Sequence, residues 1–266
     1  VTTGILFLAG ICYNSRFMGV GAIIGVLVGT LTALFLKYDK NDIRLGLYGY
    51  NGALVGLALI CFFGFSIPSV IALIFGSMLS SIIRKVMSTG KLPPYTAPFI
   101  ISTWIVMSLL IIFNIIPLQA AHVPDARNVE IIPAVSKGMG QVMFQENIIS
   151  GIIVFIGIFV SSRISAFSAL LGSSIGVVVP FVFSFPLNMT NIGMFGFNAV
   201  LCSIAFSNKN WNAVILATGS GIVSVFITYG IMHLGIITLT APFVLSTWLI
   251  LLLNKIIKSA HAKDKG

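Results

Sequence analysis

Ten apolar runs fill most of this chain, and the short polar breaks between them decide its fold class. The runs cover residues 3–13, 19–36, 47–63, 68–87 and 96–116, then 147–160, 165–183, 194–206, 211–233 and 240–257. Barrel strands would instead alternate apolar and polar residues between regular turns. A helix suits the hydrocarbon layer because it satisfies its backbone N–H and C=O groups internally. Only 8% of the 266 residues are charged and 58% are hydrophobic, where soluble domains carry about 25% charged residues. With a mean hydropathy of +1.08, too few polar side chains remain to coat a globular surface. The expectation is an all-α integral membrane protein. Several runs fall short of the roughly 20 residues a full span needs. Short paired runs point to half-spanning helices that meet at mid-membrane around a site.

The chain repeats itself. "GILFLAGICYNSR" (4–16) aligns with "GIIVFIGIFVSSR" (151–163) at a shift of 147, and "GLYGYNGALVGLAL" (46–59) aligns with "GMFGFNAVLCSIAF" (193–206) at the same shift. "YTAPFIISTW" (95–104) returns as "LTAPFVLSTW" (239–248) at a shift of 144. Five runs per copy is an odd number, so the second copy enters the membrane from the opposite side. The expected architecture is two inverted five-helix repeats around a central pore, related by a pseudo-twofold axis in the membrane plane.

Charge placement agrees. With the N-terminus inside, the inside breaks hold Lys37, Lys40, Arg44, Arg84, Lys85, Lys91, Arg163, Lys209, Lys255, Lys258, Lys263 and Lys265. The outside breaks hold Arg16, Arg127 and Lys137. Twelve basic residues against three is a strong positive-inside bias. It gives a cytoplasmic C-terminal tail, and the expected location is the inner or plasma membrane. The expected organisation is a first repeat at 1–116, an extracytoplasmic linker and start of the second repeat at 117–138, and the second repeat with its tail at 139–266. The counterpart of "SKGMGQVMFQEN" (136–147) would fall before Val1, so an N-terminal piece is expected to be missing.

Composition also narrows the function. The net charge of +9 forms no basic run interleaved with aromatics, so nucleic acid is not an expected partner. Cys12, Cys61 and Cys202 lie singly in apolar runs, as small hydrophobes without metal or disulfide spacing. No metal or cofactor is expected. Val1 opens into apolar sequence with no charged leader, so no cleavable signal peptide is expected. Of the six acidic residues, Asp39, Asp42, Asp125, Glu130 and Asp264 fall in breaks or the tail, and Glu146 stands apart. His122, His233 and His261 avoid mid-span positions. Ion-coupled transporters usually place carboxylates inside the membrane, so passive movement of a neutral solute is the better reading.

The polar residues inside the apolar runs are neutral. Thr96 and Thr240 each precede Ala-Pro-Phe and open a helix. One reading makes them N-caps, with proline in the first turn where its missing N–H does no harm. The other adds that two such hydroxyls deep in the membrane would face a cavity and accept hydrogen bonds from a solute. Asn51 and Asn198, each after an aromatic residue, read first as hydrogen-bonding glue between helices. Tyr50 with Leu54, and Phe197 with Leu201, share a helix face at a four-residue spacing, which ordinary packing explains by default. Gly46, Gly49, Gly52, Gly193 and Gly196 permit close backbone approach.

These residues together resemble one family. "LPPYTAPF" (92–99) matches the Leu-Pro-x-x-Thr-x-Pro-Phe signature of urea transporters, and "GLYGYNGALVGLAL" and "GQVMFQEN" resemble that family's other recurring segments. The second copy, "IITLTAPF", lacks the Leu-Pro start. The resemblance covers nearly the whole chain. It implies a homotrimer in the lipid bilayer, each protomer with its own pore for passive permeation of urea, and two outer sites flanking a narrower middle one. Carried over by motif, Tyr50 and Leu54 from one repeat and Phe197 and Leu201 from the other would wall the slots. Gln141, Val142 and Phe144 would form part of an outer site, and Thr96 and Thr240 would line the middle one. Glu146 stands where the family often carries a different polar residue.

Urea is planar, neutral and carries four N–H donors. It needs acceptors along its edges and apolar walls at its faces, and each hydrogen bond lost from water without replacement costs several kcal/mol in an apolar setting. Several weak sites in series would keep it moving. Short amides share this chemistry. Two other classes stay open: an ion-coupled secondary transporter of a small neutral solute, and a non-transporting membrane scaffold. The scaffold would not require matched polar residues in both copies.

Overall fold

The structure, a computed structural model, describes residues 2–119 and 123–263, without the side chains of 261–263. His122, Asp264 and Lys265 lie outside the described residues. The chain is helical over 77% of its length, with no strand among the described residues. It divides into two compact units, Leu8–His122 and Val1–Phe7 with Val123–Gly266.

Helix α1 (Thr2–Asn14) begins in the second of these units, where the Phe7 ring lies against Gly157, and continues into the first. The first unit continues with α2 (Arg16–Phe35), the short α3 (Lys40–Arg44), α4 (Leu47–Phe63), α5 (Ile67–Met87) and α6 (Ala97–Ile112). The second holds α7 (Ile131–Gly140), a 3-10 turn (Gln141–Met143), α8 (Ile148–Ser161), α9 (Arg163–Val182), the short α10 (Leu187–Asn191), α11 (Gly196–Ala205), α12 (Trp211–His233) and α13 (Ala241–Lys263). The same order recurs: α2 and α9, and α3 and α10, start and end 147 residues apart.

Matching polar residues start matching helices. The Ser15 hydroxyl accepts the Met18 N–H at 3.3 Å, and Ser162 accepts that of Ser165 at 3.2 Å. Ser66 caps α5 through Ser69 N–H and Asn210 caps α12 through Ala213 N–H. Each satisfies a donor that the first helical turn leaves without a partner. Backbone punctuation is duplicated as well. Lys37 and Ser184, Tyr95 and Leu239, and Gly46 and Gly193 all have positive φ.

Five helices, α2, α5, α9, α12 and α13 (over Ala241–Ala260), are long and apolar enough to cross a membrane. Ile131–Met143 and Ile148–Ser161 meet that standard as a pair bent by 70°. Helices α1, α4, α6 and α11 are apolar and shorter. The polar stretch at 117–138 therefore includes the start of a helix, because Ile131, Ile132 and Ala134 supply an apolar face that the surrounding charges obscure. Helices α3 and α10 occupy two of the breaks.

In the first unit α2 and α4 pack backbone to backbone. A Cβ on Gly25 would overlap the Gly52 carbonyl oxygen, one on Gly52 would overlap that of Gly25, and Gly21 and Gly56 are opposed in the same way. The Ser81 hydroxyl closes the seam by donating to Gly29 O at 2.9 Å. Small residues at this spacing are how apolar helices approach where lipid removes the hydrophobic drive between them. Gly52 and Gly196 serve the close approach expected of them. Gly46 has nothing near its Cβ position and instead supplies φ 73 at the start of α4.

Candidate functional site

The start of α6 is built by a residue 48 positions upstream. Asn51, on α4 and 2% exposed, accepts the Phe99 N–H on Oδ1 at 3.1 Å and donates from Nδ2 to Leu47 O at 3.0 Å. Phe99 N is the third amide of α6, one of the donors a helix start leaves over, and Pro98 removes another. The cap therefore comes from a different helix. The Thr96 side chain makes no cap bond; its carbonyl accepts the Ile100 N–H at 3.0 Å. Thr96 is 2% exposed and follows Tyr95, held at φ 46.

The second unit repeats this arrangement. Asn198, fully buried on α11, accepts the Phe243 N–H on Oδ1 at 3.1 Å and donates to Leu239 O at 3.4 Å and Thr228 Oγ1 at 3.5 Å. Phe243 N is again the third amide, now of α13. Leu239 has φ 45, Thr240 is buried, and the Thr240 carbonyl accepts the Val244 N–H at 3.2 Å. Holding a non-glycine residue in this region costs about 1–3 kcal/mol, and it persists where the surroundings over-determine it. The strained residue, the Thr, the Pro and the Asn acceptor form one motif, present in each unit. It answers the cap reading of Thr96: asparagine does that work. The expectation of Asn51 and Asn198 as glue between helices holds, and they glue at a helix start.

An Asn→Ala change at either position leaves a buried N–H without its acceptor. The expected loss is about 1–3 kcal/mol of stability, and Asn→Asp does not rescue it, because the carboxylate keeps the acceptor but buries a charge and sets an oxygen against the Leu47 or Leu239 carbonyl. Thermal unfolding of the purified variants in detergent checks this, and unchanged unfolding of Asn198→Ala would remove the capping role.

Tyr50 and Leu54 share α4, yet Leu54 is 1% exposed while Tyr50 is 38% exposed. On α11, Phe197 is buried and Leu201 is half-buried. Gln141, Val142 and Phe144 lie where the bent pair breaks. Phe144 turns the chain with φ 59, its N–H donating to Gln141 O at 3.0 Å. Gln141, buried, donates from Nε2 to Ile192 O at 3.1 Å, and Val142 is buried beside it. The bend is locked by the Ser136 hydroxyl donating to Ile148 O at 2.7 Å. Glu146 is exposed in the turn before α8.

Within each unit, then, the structure brings the Thr together with its Asn-capped helix start, and in the second unit Gln141 with the end of α10. Asn191 was not singled out from sequence. Nearly buried, it accepts the Glu130 N–H at 3.0 Å and donates to Asn128 O at 2.9 Å, tethering the segment that leads into α7. Its only sequence signal is an asparagine ending a short helix.

Apolar helices long enough to span, with one bent pair and buried caps at the broken starts, define a multi-pass integral membrane protein. Its relatives make the class specific. The family model described as "Urea transporter" matches residues 1–255, and the chain belongs to that family, which is one of transporters and not of enzymes. It is 29% identical over 281 residues to "Urea transporter 1" of Ovis aries, covering 95% of this chain and 72% of the relative. "Urea transporter 1" of Rattus norvegicus matches at 29% with the same coverage, and that of Capra hircus at 28%.

Proposed function

We propose that this chain is a passive, channel-type transporter of urea. The observation that carries this reading is the duplicated helix start, where Asn51 or Asn198 accepts the third amide and a buried Thr96 or Thr240 stands just before the helix as the candidate middle-site acceptor. The family and the names of the relatives support urea as the solute. In this reading the two repeats are inverted, a pore runs between them, and three copies of the chain assemble, each with its own pore.

Urea enters edge-on between apolar walls supplied by Tyr50 and Leu54 at one end and Phe197 and Leu201 at the other. Gln141, whose amide nitrogen is engaged by Ile192 O, offers its amide oxygen, with Val142 and Phe144 beside it, as part of an outer site. Thr96 and Thr240 replace water at the narrowest point. An oxygen ladder of this kind compensates the four urea N–H donors one step at a time, so no single site holds the solute tightly. The walls offer nothing to a hydrated ion. Short amides with the same donor edge enter by the same rule.

Proteoliposomes holding the purified protein should equilibrate radiolabelled urea and never accumulate it, with or without a sodium or proton gradient. Concentrative uptake under either gradient would establish the ion-coupled alternative, for which Glu146 at the bend would be the first carboxylate to test. No flux at all would leave a scaffold.

Topology is a separate expectation, drawn from the twelve-to-three distribution of basic residues. Single cysteines placed between residues 123 and 130 should react with an impermeant reagent from outside intact cells. Cysteines near Lys258 should react only after permeabilisation. Labelling of both from one side contradicts inversion.

A further inference from the structure

We propose that a cavity of the second unit binds the phosphate-bearing headgroup of an anionic phospholipid. The cavity, about 860 Å3, lies between the turn that joins α11 to α12 and the far end of α13. Its wall changes character along its length. Ile215, Leu216 and Ile257 line one part; Asn208, Asn210, Asn254 and Lys258 line another.

The polar part is built for an anion. No residue lining the cavity carries a carboxylate. The Asn210 Oδ1 accepts the Ala213 N–H at 2.8 Å and the Asn208 Oδ1 accepts the Lys209 N–H at 2.6 Å. Both amide oxygens are thus engaged by backbone, and the Nδ2 donors are the ends left to a ligand. Asn254 and Lys258, four residues apart, share a face of α13. A neutral solute has no use for the lysine, whereas a phosphodiester uses the ammonium and the amide donors together.

Depth selects a lipid as the source of that phosphate. Helix α12 begins at Trp211, 83% exposed, two residues after Lys209, and the apolar part of α13 runs to Ala260 with Lys255 and Lys258 near its end. Exposed tryptophan beside lysine marks the boundary between hydrocarbon and water. The cavity's apolar wall and its polar wall therefore meet at that boundary, in the order in which a phospholipid presents its chains and its phosphate. Basic residues at this level draw anionic headgroups, and one that lines the headgroup's own site, as Lys258 does, contributes about fivefold in affinity.

The test uses the complete chain, purified and delipidated, mixed with phosphatidylglycerol or phosphatidylcholine of the same acyl chains, with bound lipid counted by native mass spectrometry. One phosphatidylglycerol per chain should be retained in preference to phosphatidylcholine. Lys258→Gln should lower that retention about fivefold, and Asn254→Leu should lower it as well. Lys209→Gln, whose side chain is not part of the cavity wall, should change it less than twofold. Urea flux in phosphatidylcholine liposomes reports whether each variant is folded. The proposal is overturned by equal retention of the two lipids or by retention that survives Lys258→Gln. It is equally overturned by displacement with equimolar inorganic phosphate, or by cross-linking that shows Lys258 covered by a second copy of the chain.

Discussion

Thr96→Val and Thr240→Val should each reduce urea flux by roughly five- to more than a hundredfold in protein that remains folded. The change keeps side-chain volume and removes one oxygen. The third amide of each helix start already bonds to Asn51 or Asn198, so that bond survives loss of the threonine hydroxyl, and the change in stability, about 1 kcal/mol if the hydroxyl also caps, is read separately from flux. If that hydroxyl accepts from urea at the narrowest point, its removal leaves a solute N–H unpaired there. The barrier then rises by about 1–3 kcal/mol, and each 1.4 kcal/mol is a factor of ten in rate. Thr→Ser keeps the oxygen and should retain most of the flux. The measurement is urea flux per folded protein for the Val and Ser variants, with unfolding temperatures alongside. Wild-type flux in both Val variants would take the threonines out of the pathway.

The largest loss of stability should follow substitution in the α2–α4 seam. Gly25→Val and Gly52→Val place a branched side chain where the opposing backbone carbonyl already stands. A flexible side chain can move aside, but a carbonyl in a helix moves only with its helix. Overpacking costs typically 1–3 kcal/mol, and here about 3 kcal/mol or more is expected. Size-exclusion profiles in detergent should show loss of the folded peak for both. Gly230→Ala, where nothing lies within 4 Å of the added atom, should leave that peak unchanged. A folded, active Gly52→Val protein would mean the helices are not in this contact.

The seam and the helix starts differ in how far a reader of the sequence could see them. Gly46, Gly49 and Gly52 stand out as small residues in an apolar run, and close approach follows from composition alone. Which of them opposes a backbone and which turns the chain is a matter of partners on α2, so Gly46 was indistinguishable from Gly52. The apolar runs located α2, α4, α5, α9 and α12 to within a few residues, because hydropathy is a local property. It failed over 131–143, where Lys137 and Gln141 interrupt the pattern and the helix is only half of a bent pair. Thr96 and Thr240 carry two readings in the sequence because Thr before Ala-Pro-Phe is a sufficient local cap. The asparagine acceptors sit 48 and 45 residues upstream of the amides they cap, and no local rule reaches that far. What the sequence did carry was the matched Asn51 and Asn198 at one shift, a pairing whose meaning lay in the third dimension.

The asparagine bonds also bear on how the chain is made. In both units the acceptor is synthesised before the helix that needs it: Asn51 before Phe99, and Asn198 before Phe243. At about 5–20 residues per second, the wait is roughly 2–10 s. When the start of α6 emerges from the ribosome, its cap is already on the nascent chain, and the same holds for α13. These two buried helix starts thus do not depend on sequence still to be translated, whereas the Glu130 N–H at the start of α7 waits for Asn191. Each bond closes within its own half, so the translocating chain can seal its first broken helix while the second half is still unwritten.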